Sequence, residues 1–195
     1  MNNKFTAEKN TQILISLMKA HNIRKVIVSP GTTNMSFIGS IQHDPFFELF
    51  SSVDERSAAY MACGLAAESG EPVALSCTGA TASRNYMSGM TEAYYRKLPV
   101  LAVTSSRHSG MIGQGMEQVT DRRHPPKDVQ RLSVQVPMIH TPEDEWSTNI
   151  KLNTALLELR RNGGGPVHIN IETAFTTDFS VPELPETRVI RRACL

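Results

Sequence analysis

Residues 51–86 constrain the fold more than any other stretch, because they carry two strand-to-helix transitions in succession. Residues 47–53 are an apolar run rich in Phe and Val, which predicts a buried strand. Asp54 and Glu55 follow at once, where a helix starts and where its dipole favours negative charge. Ala58, Ala59, Met61, Ala62, Leu65 and Ala66 then recur at helical spacing, and Ser69-Gly70-Glu71-Pro72 stops the helix. Residues 73–77 predict a second apolar strand. It runs into Thr78-Gly79-Ala80-Thr81-Ala82-Ser83, small residues that let backbone approach a ligand closely. Two strands thereby end on one edge of a parallel sheet, one followed by a carboxylate and the other by a bare loop. In open α/β sheets that edge is where ligands bind.

The flanking sequence repeats the alternation. Ile13, Leu14, Leu17 and Met18 form the apolar stripe of a first helix over residues 6–20, and residues 26–28 form a short buried strand. Ser29-Pro30-Gly31-Thr32-Thr33-Asn34 then turns the chain into a helix through Met35, Phe37, Ile38 and Ile41. Its Ser, Thr and Asn offer capping oxygens. An anion-holding turn and an ordinary capped turn both fit this pattern. Further on, residues 85–97 predict a helix and residues 99–105 a continuous apolar strand. Residues 107–118 are glycine-rich and patternless, and residues 121–128 are a polar turn broken by two prolines. Pro137 marks the strand-like residues 133–139 as an edge or an irregular end. Pro142 and three acids open a last helix, its apolar face running from Trp146 to Leu159, and residues 166–171 predict a final strand. The fold class expected is α/β: a doubly wound, about six-stranded parallel sheet with about as many helices on its two faces. Residues 1–175 are expected to form one domain, and residues 176–195, with Pro182 and Pro185, a tail or the start of a linker.

A chain of 195 residues supports one sizeable core. Its 20 Lys and Arg against 19 Asp and Glu leave a net charge of +1, which gives no electrostatic basis for binding nucleic acid or an anionic membrane. Cys63, Cys77 and Cys194 have no metal-like spacing, and the first two lie in apolar segments, so buried free thiols are expected. Residues 1–10 lack a signal-peptide core, and no apolar run has membrane-spanning length. A cytoplasmic location is the corresponding expectation.

Glu55 is the strongest chemical candidate. A carboxylate at a strand-to-helix junction beside Ala58 and Ala59 is expected to be partly desolvated, which suits proton transfer. The bland alternative is a helix N-terminal acid facing water, a role open equally to Asp54. His168 falls mid-strand and reads as a core or edge histidine with a backbone partner; His21, His43 and His140 fall at turns. His108 and His124 fall in loops without an acid or cysteine at ligand spacing, so no metal site is expected in this chain. No dinucleotide fingerprint, P-loop, nucleophile elbow or zinc-protease motif is present.

Several segments match one family in its own order: Val28-Ser29-Pro30-Gly31, Val53-Asp54-Glu55-Arg56-Ser57-Ala58-Ala59, Pro72-Val73-Ala74-Leu75, Cys77-Thr78-Gly79 and Glu92-Ala93-Tyr94-Tyr95. Leu98-Pro99-Val100-Leu101, the loop from Gln114 to Gln118, and Gly165-Pro166-Val167-His168-Ile169-Asn170 continue the match. On these residues the chain resembles the pyrimidine-binding (Pyr) domain of thiamine-diphosphate-dependent enzymes of the 2-oxoacid decarboxylase and acetolactate synthase type. Within that family it most resembles the menaquinone-pathway synthases that join 2-oxoglutarate to isochorismate.

The resemblance implies thiamine diphosphate as cofactor and a 2-oxoacid as substrate. It gives Glu55 the catalytic role of hydrogen-bonding N1′ of the aminopyrimidine, so that the ring removes the proton from thiazolium C2. It implies that Pro30, Gly31, Thr78, Gly79 and Gln118 line the cofactor, and that Thr32, Thr33 and Asn34 face the substrate. The menaquinone-pathway synthases place Ser-Arg-Ser after Ser-Pro-Gly, with the arginine on a substrate carboxylate. Thr32-Thr33-Asn34 carries no cation, which implies a different acceptor. The family holds Mg²⁺ and the diphosphate in a separate PP domain marked by Gly-Asp-Gly, which this sequence lacks. The resemblance therefore implies half a cofactor site, inactive alone and completed by a PP domain in a longer chain or a separate subunit. It also implies a homodimer or higher oligomer. The alternative, a non-catalytic Pyr-like scaffold or regulatory subunit, has no need of Glu55.

Overall fold

The computed structural model describes residues 4–79, 81–121 and 125–192. Six strands, β1 (Lys25–Val28), β2 (Glu48–Ser51), β3 (Val73–Thr78), β4 (Val100–Ser106), β5 (Leu132–Val136) and β6 (Val167–Glu172), form one sheet in the order β2-β1-β3-β4-β6-β5. Every neighbouring pair is parallel. Among the described residues five helices cover it: α1 (Lys9–Ala20), α2 (Met35–Ile41), α3 (Glu55–Ser69), α4 (Ala82–Arg96) and α5 (Pro142–Glu158). The doubly wound α/β sheet expected from the sequence is present, with five such helices and two short 3-10 turns in place of about six helices.

Alternate side chains of the central strands go to opposite faces, and both faces are covered, which is why these strands read as continuous apolar runs. Val26, Val28, Ala74, Leu101, Val103, Ile169 and Ile171 pack against α1, α2 and α5. Ile27, Val73, Leu75, Cys77, Val100 and Ala102 pack against α3 and α4. The predicted buried strand at 47–53 differs. Only Glu48–Ser51 is strand, β2 has β1 as its one neighbour, and Val53 is 90% exposed. An edge strand needs only partial cover. Helix α1 starts at Lys9, three residues later than its stripe suggested, because Thr6 turns inward and donates its amide to Ser40 Oγ at 2.9 Å. Helix α4 starts at Ala82 rather than Asn85, continuing directly from the small-residue turn. β5 occupies an edge and ends at Val136, before Pro137, in keeping with the ladder bond proline cannot donate.

Residues 176–192 lie against the α1–α5 layer. Phe5 and Val181 form an antiparallel bridge, and Val181, Leu184 and Val189 pack on the core. Asn153, fully buried on α5, donates to the Arg188 carbonyl at 2.8 Å and accepts from the Ile190 amide at 2.7 Å. Among the described residues no helix is long and apolar enough to cross a membrane.

Candidate functional site

The strand order reverses at β1: the chain goes from β1 to β2 on one side and returns to β3 on the other. The helices leaving β1 and β3 depart to opposite faces, since α2 packs with α1 and α4 packs with α3. A crevice therefore opens at the carboxyl ends of β1 and β3, the switch point where such sheets bind ligands.

Two loops line it. The amide of Ser29 still donates to Ser76, at 2.9 Å, and its hydroxyl to the Ser52 carbonyl, at 2.7 Å, which fixes the ends of β1, β2 and β3 together. Asn34 is fully buried and braces the first loop from within. Its Oδ1 accepts from Gly31 N at 2.9 Å, and its Nδ2 donates to Ser29 O at 3.1 Å and Ser76 Oγ at 3.2 Å. It makes no side-chain cap for α2, a helix of seven residues. Pro30 and Thr32 are exposed, while Gly31 and Thr33 are half-buried.

The second loop meets the first. A Cβ on Gly31 would collide with the Thr78 methyl, so any larger residue there would force the Thr78 side chain to move. Gly79 donates its amide to Ser105 O at 2.6 Å and to Thr33 Oγ1 at 3.3 Å, and a Cβ there would strike the Ser105 carbonyl. Gly31, Thr33, Thr78 and Gly79 thus form one connected surface, with Asn34 buried beneath it. Ala80 lies outside the described residues.

Asp54 and Glu55 separate into different roles. Asp54 caps α3, accepting from Ser57 N at 2.7 Å and Ser57 Oγ at 2.6 Å, and these bonds hold its carboxyl below the usual range. Glu55 is thereby spared capping. It is half-buried at the first position of α3, and its Oε2 accepts from Asn85 Nδ2 at 3.1 Å. Its Oε1 has no hydrogen-bond partner among the described residues. One turn along α4, Tyr86 is buried behind this acid, and burial pushes its phenol well above the usual value, with Cys77 and Glu55 adding.

Gln118 stands apart. It is exposed, in left-handed backbone at φ +57°, and no hydrogen bond joins it to the other candidates among the described residues. Its loop is tied to the site two residues on, where Thr120 Oγ1 donates to Gly79 O at 3.1 Å. The loop's start is anchored where Ser109 N donates to Glu172 Oε1 at 2.8 Å.

His168 corrects its expected backbone partnership. It is buried between two hydroxyls, with Thr104 Oγ1 at 2.8 Å from Nε2 and Ser133 Oγ at 2.9 Å from Nδ1. Thr104 donates its proton to Asn170 Oδ1 at 2.7 Å, and Asn170 donates to Ser106 Oγ and Gln135 Oε1, both at 2.8 Å. This polar layer floors a cleft of about 400 Å³ beside the Gly79 loop. Cys63 and Cys77 are buried and form no disulfide, as expected, and burial pushes the Cys63 thiol up to about 11. His124 and Cys194 lie outside the described residues. Among the described residues no group of three or more His, Cys, Asp or Glu gathers to hold a metal ion.

Sequence reading missed Asn85. No local signal marks it, because its partner is 30 residues away.

A doubly wound α/β domain with a carboxylate and two glycine loops at its switch point has the architecture of a ligand-binding domain. Residues 9–124 match the family model described as thiamine pyrophosphate enzyme, N-terminal TPP binding domain, and the chain belongs to that family. Among curated proteins it is 40% identical over 191 residues to the 2-succinyl-5-enolpyruvyl-6-hydroxy-3-cyclohexene-1-carboxylate synthase of Bacteroides thetaiotaomicron, covering 96% of this chain and 34% of that protein. The synthase of the same name from Bacteroides fragilis is 39% identical over 189 residues, with the same coverage. That of Haloarcula marismortui is 34% identical over 163 residues, 82% of this chain and 27% of its own length. The resemblance to the menaquinone-pathway synthases read from the sequence holds. The chain spans about a third of the length of these relatives. Its fold is also that of benzoylformate decarboxylase from Polynucleobacter necessarius, with a TM-score of 0.71 at 20% identity over 96% of this chain and 33% of that one.

Proposed function

We propose that this chain is the pyrimidine-binding half of a thiamine-diphosphate-dependent enzyme that acts on a 2-oxoacid by decarboxylation or acyl transfer, with Glu55 as its proton-handling residue. The observation that carries this reading is the state of Glu55: one oxygen is held by Asn85, and the other is open to a partner at the sheet's ligand-binding edge. The residues fit the cofactor, since the two loops beside the acid are kept free of side-chain bulk at Gly31 and Gly79. Thiamine diphosphate, when bound, supplies a carbon nucleophile and an electron sink for the 2-oxoacid. Glu55 holds a proton at Oε1 toward the pyrimidine nitrogen and takes it back, a task for a carboxylate shielded from water. Thr78, Gly79, Pro30, Gly31 and Gln118 would line the cofactor, and Thr32 and Thr33 would face the substrate. Asn34 supports this surface from beneath, because its polar atoms are consumed inside the loop.

In this reading residues 1–175 form the Pyr unit and residues 176–195 begin the connection to a PP domain that holds Mg²⁺ and the diphosphate. The relatives' threefold greater length supports that division, with the PP half in a longer chain or a second subunit. A homodimer or higher oligomer brings the two halves together, and buried cysteines outside any disulfide suit the cytoplasm. The test is Glu55→Gln in the complete assembly. It leaves the melting midpoint within about 2 °C and slows deuterium exchange at the cofactor's C2 by about 10²–10⁴-fold. Exchange at the wild-type rate would overturn the reading.

A further inference from the structure

Helices α3 and α4 lie on the same face of the sheet and both begin at its ligand-binding edge. Glu55 opens α3, and Asn85 lies in the first turn of α4. One turn further along each helix stand Ala59 and Gly89. A Cβ on Gly89 would lie 2.9 Å from the Ala59 carbonyl carbon and 3.2 Å from its Cα, so the two backbones approach as only glycine allows. Cys63 Sγ reinforces the pairing, donating to the Gly89 carbonyl at 3.2 Å. Because side chains four apart stack on one helix face, the Ala59–Gly89 contact fixes the register that sets Asn85 opposite Glu55.

We propose that Asn85 is a positioning residue for Glu55, donating its amide to Oε2 so that Oε1 alone is presented to the cofactor's pyrimidine. The proposal rests on the reading of Glu55 given above. A neutral donor suits the task. Lys or Arg would pair with the carboxylate as a full charge and oppose its protonation, whereas an amide orients the group and stays neutral across the working range of pH. The Asn85 amide is the sole side-chain donor to Glu55 among the described residues, so the carboxylate's rotation is governed by this one bond.

Two measurements test it. In the cofactor-free chain, Glu55→Ala removes the acceptor, and the side-chain amide proton resonances of Asn85 shift upfield. Unchanged resonances would mean that no such bond exists in solution. In the cofactor-loaded holoenzyme containing this chain, Asn85→Ala slows deuterium exchange at C2 about tenfold, with cofactor affinity changed less than about twofold. Asn85→Asp keeps the shape but replaces the donor by a second carboxylate, and it exchanges more slowly than Asn85→Ala. Gly89→Ala, which touches neither polar group, reproduces a loss by spreading the helices. A purely structural role would rank Asn85→Asp above Asn85→Ala, and that order would overturn the proposal. A rate loss matched by an equal loss of cofactor affinity would also overturn it. Glu55→Gln in the same assay separates the two readings. If that variant exchanges normally, the role of Glu55 fails first; if it is silent while Asn85→Ala is normal, only the positioning role fails.

Discussion

Asp54 takes both the amide and the hydroxyl of Ser57 onto one carboxylate oxygen, and this lowers the carboxyl's proton affinity in the folded chain. The sign of the pH effect follows. A carboxylate whose folded value is depressed contributes stability above the unfolded value, and that contribution disappears as pH falls through the folded value. Asp54 therefore helps α3 at neutral pH, begins to lose that help near its unfolded value of about 4, and has lost it once pH is below the lower folded value. Asp54→Asn keeps a capping oxygen, so it leaves the neutral melting midpoint nearly unchanged while flattening its fall in acid. Asp54→Ala loses the cap altogether and lowers the neutral midpoint by about 2–4 °C. Thermal melts of the three proteins from pH 3 to 7 check the ranking. The division of labour also bears on Glu55: a helix already capped by its neighbour leaves the next acid free for other work.

At the scale of elements, burial decided what could be read from the chain. β1, β3, β4 and β6 are enclosed on both faces and announce themselves as unbroken apolar runs, and the acids after Thr141 mark α5 through a complete capping box. β2 misled because Phe47 and Phe50 look central while the strand is an edge with Val53 in solvent. Of the site, Glu55 and the Thr78–Gly79 turn were legible from their place at strand ends. The bracing by Asn34 and the donation by Asn85 were not, since each depends on atoms brought near by the turn of a loop or the register of two helices. The docking of residues 176–192 was equally hidden, because it rests on backbone groups met by Asn153 and on three apolar side chains with no helical or strand period. Asn153 is the clasp. Asn153→Ala strips a partner from both the Arg188 carbonyl and the Ile190 amide and costs about 1–3 kcal/mol in denaturant unfolding. Trypsin then cuts after Arg188 faster than in the wild type. An unchanged cleavage rate would show that the apolar contacts of Val181, Leu184 and Val189 hold the segment by themselves.

For the whole molecule, the distribution of chemistry is lopsided. The sheet edge gathers an acid and two glycine loops, yet among the described residues there is no cluster able to hold a divalent ion. Glu55 remains half-exposed in this chain, and a proton-handling carboxylate works best where water is excluded. Val53, just before α3, and Tyr60 and Met61, on it, are exposed by 90, 49 and 41%. A second surface laid over this end would dry the site. If the metal belongs to that second surface, removing it acts on the assembly and spares the chain. Chelation with EDTA then leaves the melting curve of the isolated chain unchanged, and thiamine diphosphate binds that chain weakly and equally with or without Mg²⁺ in calorimetry. In the complete assembly the same chelation releases the cofactor and lowers stability by the lost binding free energy, about 2.7 kcal/mol if the cofactor stood at a hundred times its dissociation constant. Tight, Mg²⁺-dependent binding to the isolated chain would place a metal site within these residues and overturn the division into halves.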